Sequence, residues 1–169
     1  MILPDIEILS LTRLGLVTPF DPELLNPASL DVRLGDNLLV EREEHPSLEP
    51  YSIAGYTKEN PFMLYPHEFV LAETFEEFQL PDCIAGQLAL KSSRAREGIE
   101  HLLAGYIDPG YIGRLTLELQ NARKFHPVYL WPGMRIAQIV FHKLSMLLAK
   151  DYSVTGRYQG DKTVQASKG

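Results

Sequence analysis

The chain has 169 residues, enough for one domain with a proper core, and we expect residues 1–169 to form that one unit. Its formal charge of −6 argues against a general nucleic-acid binder, which needs a basic face to neutralise phosphates, although a small anion needs only a local cluster of cations. No apolar run is long enough to span a bilayer, no charged-then-apolar leader opens the chain, and a single cysteine, Cys83, rules out an intrachain disulfide, so a cytoplasmic protein without a membrane partner is expected.

Residues 4–14 carry apolar side chains at helical intervals, with Asp5 as the expected N-cap and Gly15 as the expected end. Residues 19–27 are turn-rich. Residues 28–34 then alternate as a strand, with Asp31 between Leu30 and Val32, where an edge-strand or turn-capping aspartate is the plain reading. Residues 38–56, with the run EREEHPSLEPYSIAG, suggest an acidic solvated loop in which His45 is exposed. Three short runs, residues 62–65, 69–80 and 84–90, are rich in β-branched, aromatic and leucine residues and broken by Pro66, Pro81 and Gly86, the pattern of a barrel or sandwich. Residues 73–77 leave room for a helical turn.

The densest stretch is KSSRAREGIEHLLAGYIDPGYIGRLTLELQN, residues 91–121. Lys91, Ser92, Ser93, Arg94 and Arg96 form a short basic, hydroxyl-rich loop that suits a phosphorylated anion, or else an ordinary surface turn. Residues 107–111, IDPGY, predict a tight turn, because proline fixes φ and glycine tolerates a reversal, and a hairpin around it. Beyond it Arg114, Thr116, Glu118 and Gln120 alternate with Leu115, Leu117 and Leu119, so Glu118 points away from the leucine face. A solvated strand face would show the same alternation.

Residues 128–131 and 134–141 predict two more strands around Pro132 and Gly133, the second interrupted by Gln138, an amide that satisfies backbone groups in the plain reading. Residues 150–169 have little apolar content and form a flexible tail.

This combination resembles the trimeric dCTP deaminases and their dUTPase relatives. KSSRAREG looks like the deaminase SSxAR(x)G loop, AGYIDPGYIG like the AGxIDPGxxG turn, and LTLELQN like the strand that carries the deaminase glutamate. PGMRIAQIV and NPASLDVRLG are similar to a later and an early barrel strand, and RYQGDKTVQAS to the mobile tail. The likeness covers most of the chain in family order. It implies an all-β fold, a distorted dUTPase-like β-barrel or jelly roll with a short N-terminal helix and a mobile C-terminal tail.

What the resemblance implies chemically is zinc-independent deamination of dCTP, with further hydrolysis to dUMP. The zinc nucleobase deaminases need an H-x-E and C-x-x-C signature that this sequence lacks. By resemblance Glu118 is the general base, Ser92, Arg96 and the Ala104 carbonyl hold the water, and Lys91 and Ser93 hold phosphate oxygens. Thr116 and Leu117 lie beside Glu118 at the nucleotide. Asp108 is the candidate base for hydrolysis between the α and β phosphates, helped by magnesium that arrives with the triphosphate, or it binds the sugar. Gly105 and Tyr106 mark the dUMP-forming subgroup, as does Gln138, whose amide contacts the nucleotide in relatives. Residues 150–169 close over the ligand, with Tyr152, Arg157 and Lys162 supplying hydrogen bonds and charge.

The family further implies a homotrimer with shared sites, dCTP or dUTP as substrate, and inhibition by dTTP with His101 near the switch. Two departures stand out. Asp161 replaces the amide of the usual KYQGQ, and Arg94 stands where a leucine is usual. The competing readings are a monofunctional deaminase that releases dUTP, a dUTPase without deaminase activity, and a non-catalytic nucleotide-sensing barrel.

Overall fold

Helix α1, Asp5–Thr12, begins on the residue expected to cap it. Pro4 is the cap instead: it is extended, with φ −75 and ψ 166, and its carbonyl accepts the N–H groups of Glu7 and Ile8 at 3.1 and 3.0 Å. Among the described residues the Asp5 side chain accepts only from its neighbour Ile6, at 2.8 Å. The helix stops at Thr12, whose carbonyl receives the Gly15 N–H at 3.0 Å, and it anchors itself through Ile8, fully buried. The computed structural model describes residues 1–146 and 148–169, the side chain of Thr155 excepted.

Strands β1, Val17–Thr18, and β2, Leu25–Asn26, lead into β3, Ser29–Arg42, which pairs back on β2 through a tight turn. β3 runs well past the expected strand, and the supposed acidic loop is a hairpin of β3 with β4, His45–Ser52. The sequence hides this because β4 is an edge strand, where Pro46 and Pro50 are tolerated and charged side chains face water, while Leu38, Leu39 and Val40 of β3 are buried.

Next come β5, Phe62–Leu64, β6, Phe69–Gln79, and β7, Ile84–Leu90. β6 is extended throughout, without the helical turn allowed at residues 73–77. Its acids Glu73 and Glu76 are buried and ion-paired, Glu73 with Arg114 at 3.1 Å and Glu76 with Arg33 at 2.7 Å. Buried partners of this kind make an inward-facing strand look like a polar helical surface in sequence.

The basic stretch is likewise not a loop: residues Ser92–Arg96 form a helical turn, α2, with Ala95 N–H donating to the Lys91 carbonyl at 3.0 Å. Strands β8, Ile99–His101, β9, Tyr106–Ile107, and β10, Ile112–Asn121, follow. The turn between β9 and β10 closes as expected, with Tyr111 N–H on the Asp108 carbonyl at 3.2 Å, but it makes no hairpin. β9 pairs with β7, whereas β10 pairs with β6 and β8, because the turn carries the chain from one edge of the sheet to another. β11, Val128–Leu130, joins β5 in a two-stranded sheet, and β12, Arg135–Lys143, lies between β3 and β7.

Among the described residues the large sheet is antiparallel and runs β8-β10-β6-β3-β12-β7-β9. Its two ends, β8 and β9, are joined by residues 102–105 alone, so the sheet curls on itself. That connection is stitched to both sides: Leu102 N–H donates to the Glu118 carbonyl of β10 at 3.3 Å, and Leu88 N–H of β7 donates to the Gly105 carbonyl at 2.7 Å. The interior is filled by aliphatic and aromatic side chains, with Phe78 and Phe141 fully buried, each stabilising the fold by roughly 1.5–3 kcal/mol. After β12 comes a short helix, α3, Tyr152–Thr155. Residues 159–165 then lie along β10 as a strap, with Gly160 N–H on the Ile112 carbonyl at 2.7 Å and Arg114 N–H on the Asp161 carbonyl at 2.8 Å.

Candidate functional site

A cavity of about 590 Å³ opens at the seam where the sheet closes. Its wall is the outward face of β10, Arg114, Leu115, Thr116 and Glu118; one rim is Ala104, Tyr106 and Asp108 from the seam; the strap residues Tyr158, Asp161 and Gln165 form the roof. The volume suits a small-molecule ligand of nucleotide size. Leu115 lines the cavity while packing against the edge of the core, beside the point where the β10–β6 register shifts between Arg114 and Thr116. Leu117 is 1% exposed and packs inward, so what it can offer a ligand is its backbone.

Glu118 is half-buried on this wall, and its Oε2 is shut off from solvent without a hydrogen-bond partner among the described residues. Burial pushes its carboxyl above the ordinary glutamate range, opposed only weakly by its own backbone N–H. A carboxyl raised in this way takes up a proton more readily than an ordinary glutamate, and the residue stands on the cavity wall. Tyr111, with its ring 5.6 Å from that of Tyr152, donates its hydroxyl to the Arg114 carbonyl. Burial, and the Asp161 carboxylate after it, hold that phenol in its protonated form.

Gly105 has a steric reason to be glycine: a Cβ there would stand 2.6 Å from the Leu88 carbonyl oxygen. The close approach that closes the sheet therefore dictates the residue, whatever it also means for the reaction. Tyr106 follows with its side chain 67% exposed at the rim. Behind the seam His101 is buried with both ring nitrogens unpartnered among the described residues, and desolvation lowers its pKa, which favours the neutral ring.

The structure divides the expected site residues into two groups. Ala104, Asp108, Thr116, Glu118, Tyr152 and Asp161 meet at the cavity. Lys91, Ser92, Ser93, Arg96 and Gln138 do not line it. Ser92, Ser93 and Arg96 are exposed on α2, while Lys91 is bound to Asp31 at 2.5 Å. Asp31 is 2% exposed and neither an edge residue nor a solvated cap; it also accepts from Asn26 at 2.9 Å, and its register partner on β12 is Gln138. The Gln138 carbonyl oxygen accepts from Ser29 at 2.9 Å.

The two departures have local explanations. Arg94 does not reach toward a ligand: it pairs with Glu97 at 2.7 Å and lies over the Trp131 ring at 5.8 Å, filling apolar space as a leucine would. Asp161 is met by Lys168, at 2.9 and 3.2 Å to its two oxygens, so its charge is balanced within the tail. Of the other tail cations, Arg157 is exposed and Lys162 pairs with Glu77.

Sequence reasoning missed Arg114 as the cation of the cavity wall and Glu73 behind it; the strand alternation that exposed Glu118 carried Arg114 too. Among the described residues no cluster of His, Cys, Asp and Glu converges on a metal-sized position, and no helix is long and apolar enough to cross a membrane.

A family model described as dCTP deaminase-like matches residues 2–144. A protein of Leifsonia xyli subsp. xyli named dCTP deaminase, dUMP-forming, is 40% identical over 183 residues, covering 99% of this chain and 90% of its own. One of the same name from Thermobifida fusca is 42% identical over 176 residues, covering 96% and 89%. Among solved structures, the 2'-deoxycytidine 5'-triphosphate deaminase from Agrobacterium tumefaciens superposes with a TM-score of 0.69 at 25% identity, over 87% of this chain and 49% of that one.

Proposed function

The chain belongs to the dCTP deaminase family, and on that premise we propose that it deaminates dCTP and releases diphosphate to give dUMP, with Glu118 as the proton-transferring group. The observation that carries this reading is the Glu118 carboxylate itself, desolvated, with one oxygen unpartnered, on the wall of a cavity of about 590 Å³. Water adds to the ring carbon that bears the amine as Glu118 takes its proton. That proton passes to the adjacent ring nitrogen, the remaining hydroxyl proton is then carried to the departing amine, which leaves as ammonia, and the ring keeps the water oxygen as the uracil carbonyl. The Ala104 carbonyl on the opposite rim orients the water.

A triphosphate does not suit this cavity alone. Glu118, Asp108 and Asp161 line it, against Arg114 as its cation, and Arg114 is already tied to Glu73. The missing positive charge lies on α2 and Lys91, outside the cavity. We assign Lys91, Ser92, Ser93 and Arg96 to the site of a neighbouring copy in a homotrimer, so that each site joins the Glu118 wall of one chain to the basic turn of the next. Gln138, on the same side of the sheet as Asp31 and Lys91, goes with the phosphates. Magnesium comes as part of the substrate and offsets the remaining charge.

Asp108 is assigned to the second hydrolysis, aligning water on the α phosphorus so that the bond to the bridging oxygen breaks and diphosphate leaves. The strap, with Tyr152 and Tyr158, covers the ligand. His101, neutral and unpartnered behind Gly105, is assigned to a dTTP response, and the cytoplasm is the proposed compartment. Incubating the protein with dCTP and magnesium, and resolving ammonia, dUTP, dUMP and diphosphate, tests the reading. Ammonia with dUMP and diphosphate supports it, ammonia with dUTP leaves only the deaminase, and no ammonia rejects it.

A further inference from the structure

Val164 lies more than twenty residues past the last strand, yet its backbone N–H ends on an acid in the interior of β6. Glu73 is 0% exposed, and its carboxylate is shared by three donors. Oε1 accepts from Asn37 Nδ2 at 2.8 Å and from Arg114 Nη1 at 3.1 Å, and Oε2 accepts from Val164 N at 2.9 Å. A buried carboxylate is costly unless its oxygens are hydrogen-bonded, so the strap completes a shell that would otherwise be open on one side. The room for it comes from Gly35, where a Cβ would stand 2.5 Å from Glu73 Cγ.

The same contact fixes register. Val164 is buried against Leu39 and Leu71, Gln165 N–H donates to Thr116 Oγ1 at 3.2 Å, and the Asp161 carbonyl receives the Arg114 N–H at 2.8 Å. Sliding the strap by one residue would turn Val164 outward and take Asp161 and Gln165 off the cavity. Arg114 therefore touches both parts of the device: its guanidinium lies on Glu73 and its backbone on the strap, while it lines the wall that carries Glu118.

We propose that Glu73 is a positioning residue for the reaction: its Oε2 is the fixed point on which residues 159–167 close over the bound nucleotide. This rests on the reading that the strap covers the ligand. Glu73 touches no reacting atom; it acts through the Val164 N–H and through Arg114.

Val164→Pro removes the N–H and leaves Glu73 intact, Val164→Ala keeps the N–H and trims the side chain, and Glu73→Gln removes the charge at constant size. For each, and for the Glu73→Gln/Val164→Pro pair, kcat and KM for dCTP with magnesium are read from ammonia release, and the strap is probed by tryptic cleavage at Lys162. Val164→Pro and Glu73→Gln are each expected to raise KM about tenfold or more while kcat stays within about twofold, with faster cleavage at Lys162. The double variant is expected to be no worse than the worse single one. A Val164→Pro protein with wild-type KM and cleavage overturns the proposal, and so does a Val164→Ala protein as impaired as Val164→Pro, or an additive double. A wild type that released no ammonia would instead sink the functional reading, with the cleavage rates still deciding about Glu73.

Discussion

Lys91 Nζ lies 2.5 Å from the buried Asp31 carboxylate, on a part of the surface that does not open into the cavity holding Glu118. The cation best placed by sequence to meet a phosphate is thus held in readiness by an acid two strands away, and the two halves of the expected site are separated within one chain. Asp31→Asn removes the charge that holds Lys91 and is expected to cost about 1–3 kcal/mol of stability, measured by denaturant unfolding. An unchanged midpoint would show that the pair contributes nothing to the fold.

If the halves come together between copies, two inactive variants should complement. Glu118→Gln spoils the wall and Arg96→Ala spoils the basic turn, and each alone is expected to be inactive. Co-assembled in equal amounts as a trimer, they restore activity at about a quarter of the sites, those where an intact wall meets an intact turn. Absence of any recovery in verified mixed trimers would place both groups in the site of a single chain.

Glu118 also leaves a signature in stability against pH. Its folded pKa is raised by burial, so between the ordinary carboxylate range and that raised value the folded chain holds a proton that the unfolded chain has lost. Stability contributed by the neutral acid is present below that window and is lost as pH rises through it. The wild type is therefore expected to lose stability relative to Glu118→Gln as pH rises from about 4 toward neutrality. Parallel unfolding curves for the two proteins would contradict a desolvated carboxyl.

Asp108 stands at the start of the turn, accepts the Tyr111 N–H on its backbone carbonyl and lines the cavity. Asp108→Asn keeps the turn and is expected to lower diphosphate formation by about a hundredfold or more while ammonia release continues. Equal diphosphate output from the variant would remove Asp108 from the hydrolytic step.

The strands of the core and the pole of the site were legible in the sequence for one reason, the alternation of side chains. Leu117 and Leu119 against Thr116 and Glu118 sufficed to turn the acid away from the core, but a solvated face would read the same, and the cavity appears only in the structure. Alternation fails where both faces are buried or both are wet. Glu73 and Glu76 looked like the solvated side of a helical turn because their arginine partners, Arg114 and Arg33, are some forty residues away in sequence. β4 looked like a loop because an edge strand needs few apolar residues. The hairpin expected around residues 107–111 did not form, since a turn's residues fix the reversal and not the partner strand. Nothing local in the chain tells whether the basic turn and the wall meet within one chain or between copies.

A single sheltered carboxylate moving the protons of deamination is the proposed role of Glu118. It is tested most directly by assaying ammonia release from dCTP by Glu118→Gln alongside a direct measurement of nucleotide binding. Ammonia release is expected to fall to background with binding retained, because the amide keeps the shape of the wall and cannot take a proton. Ammonia released at the wild-type rate by a correctly folded Glu118→Gln protein would contradict it.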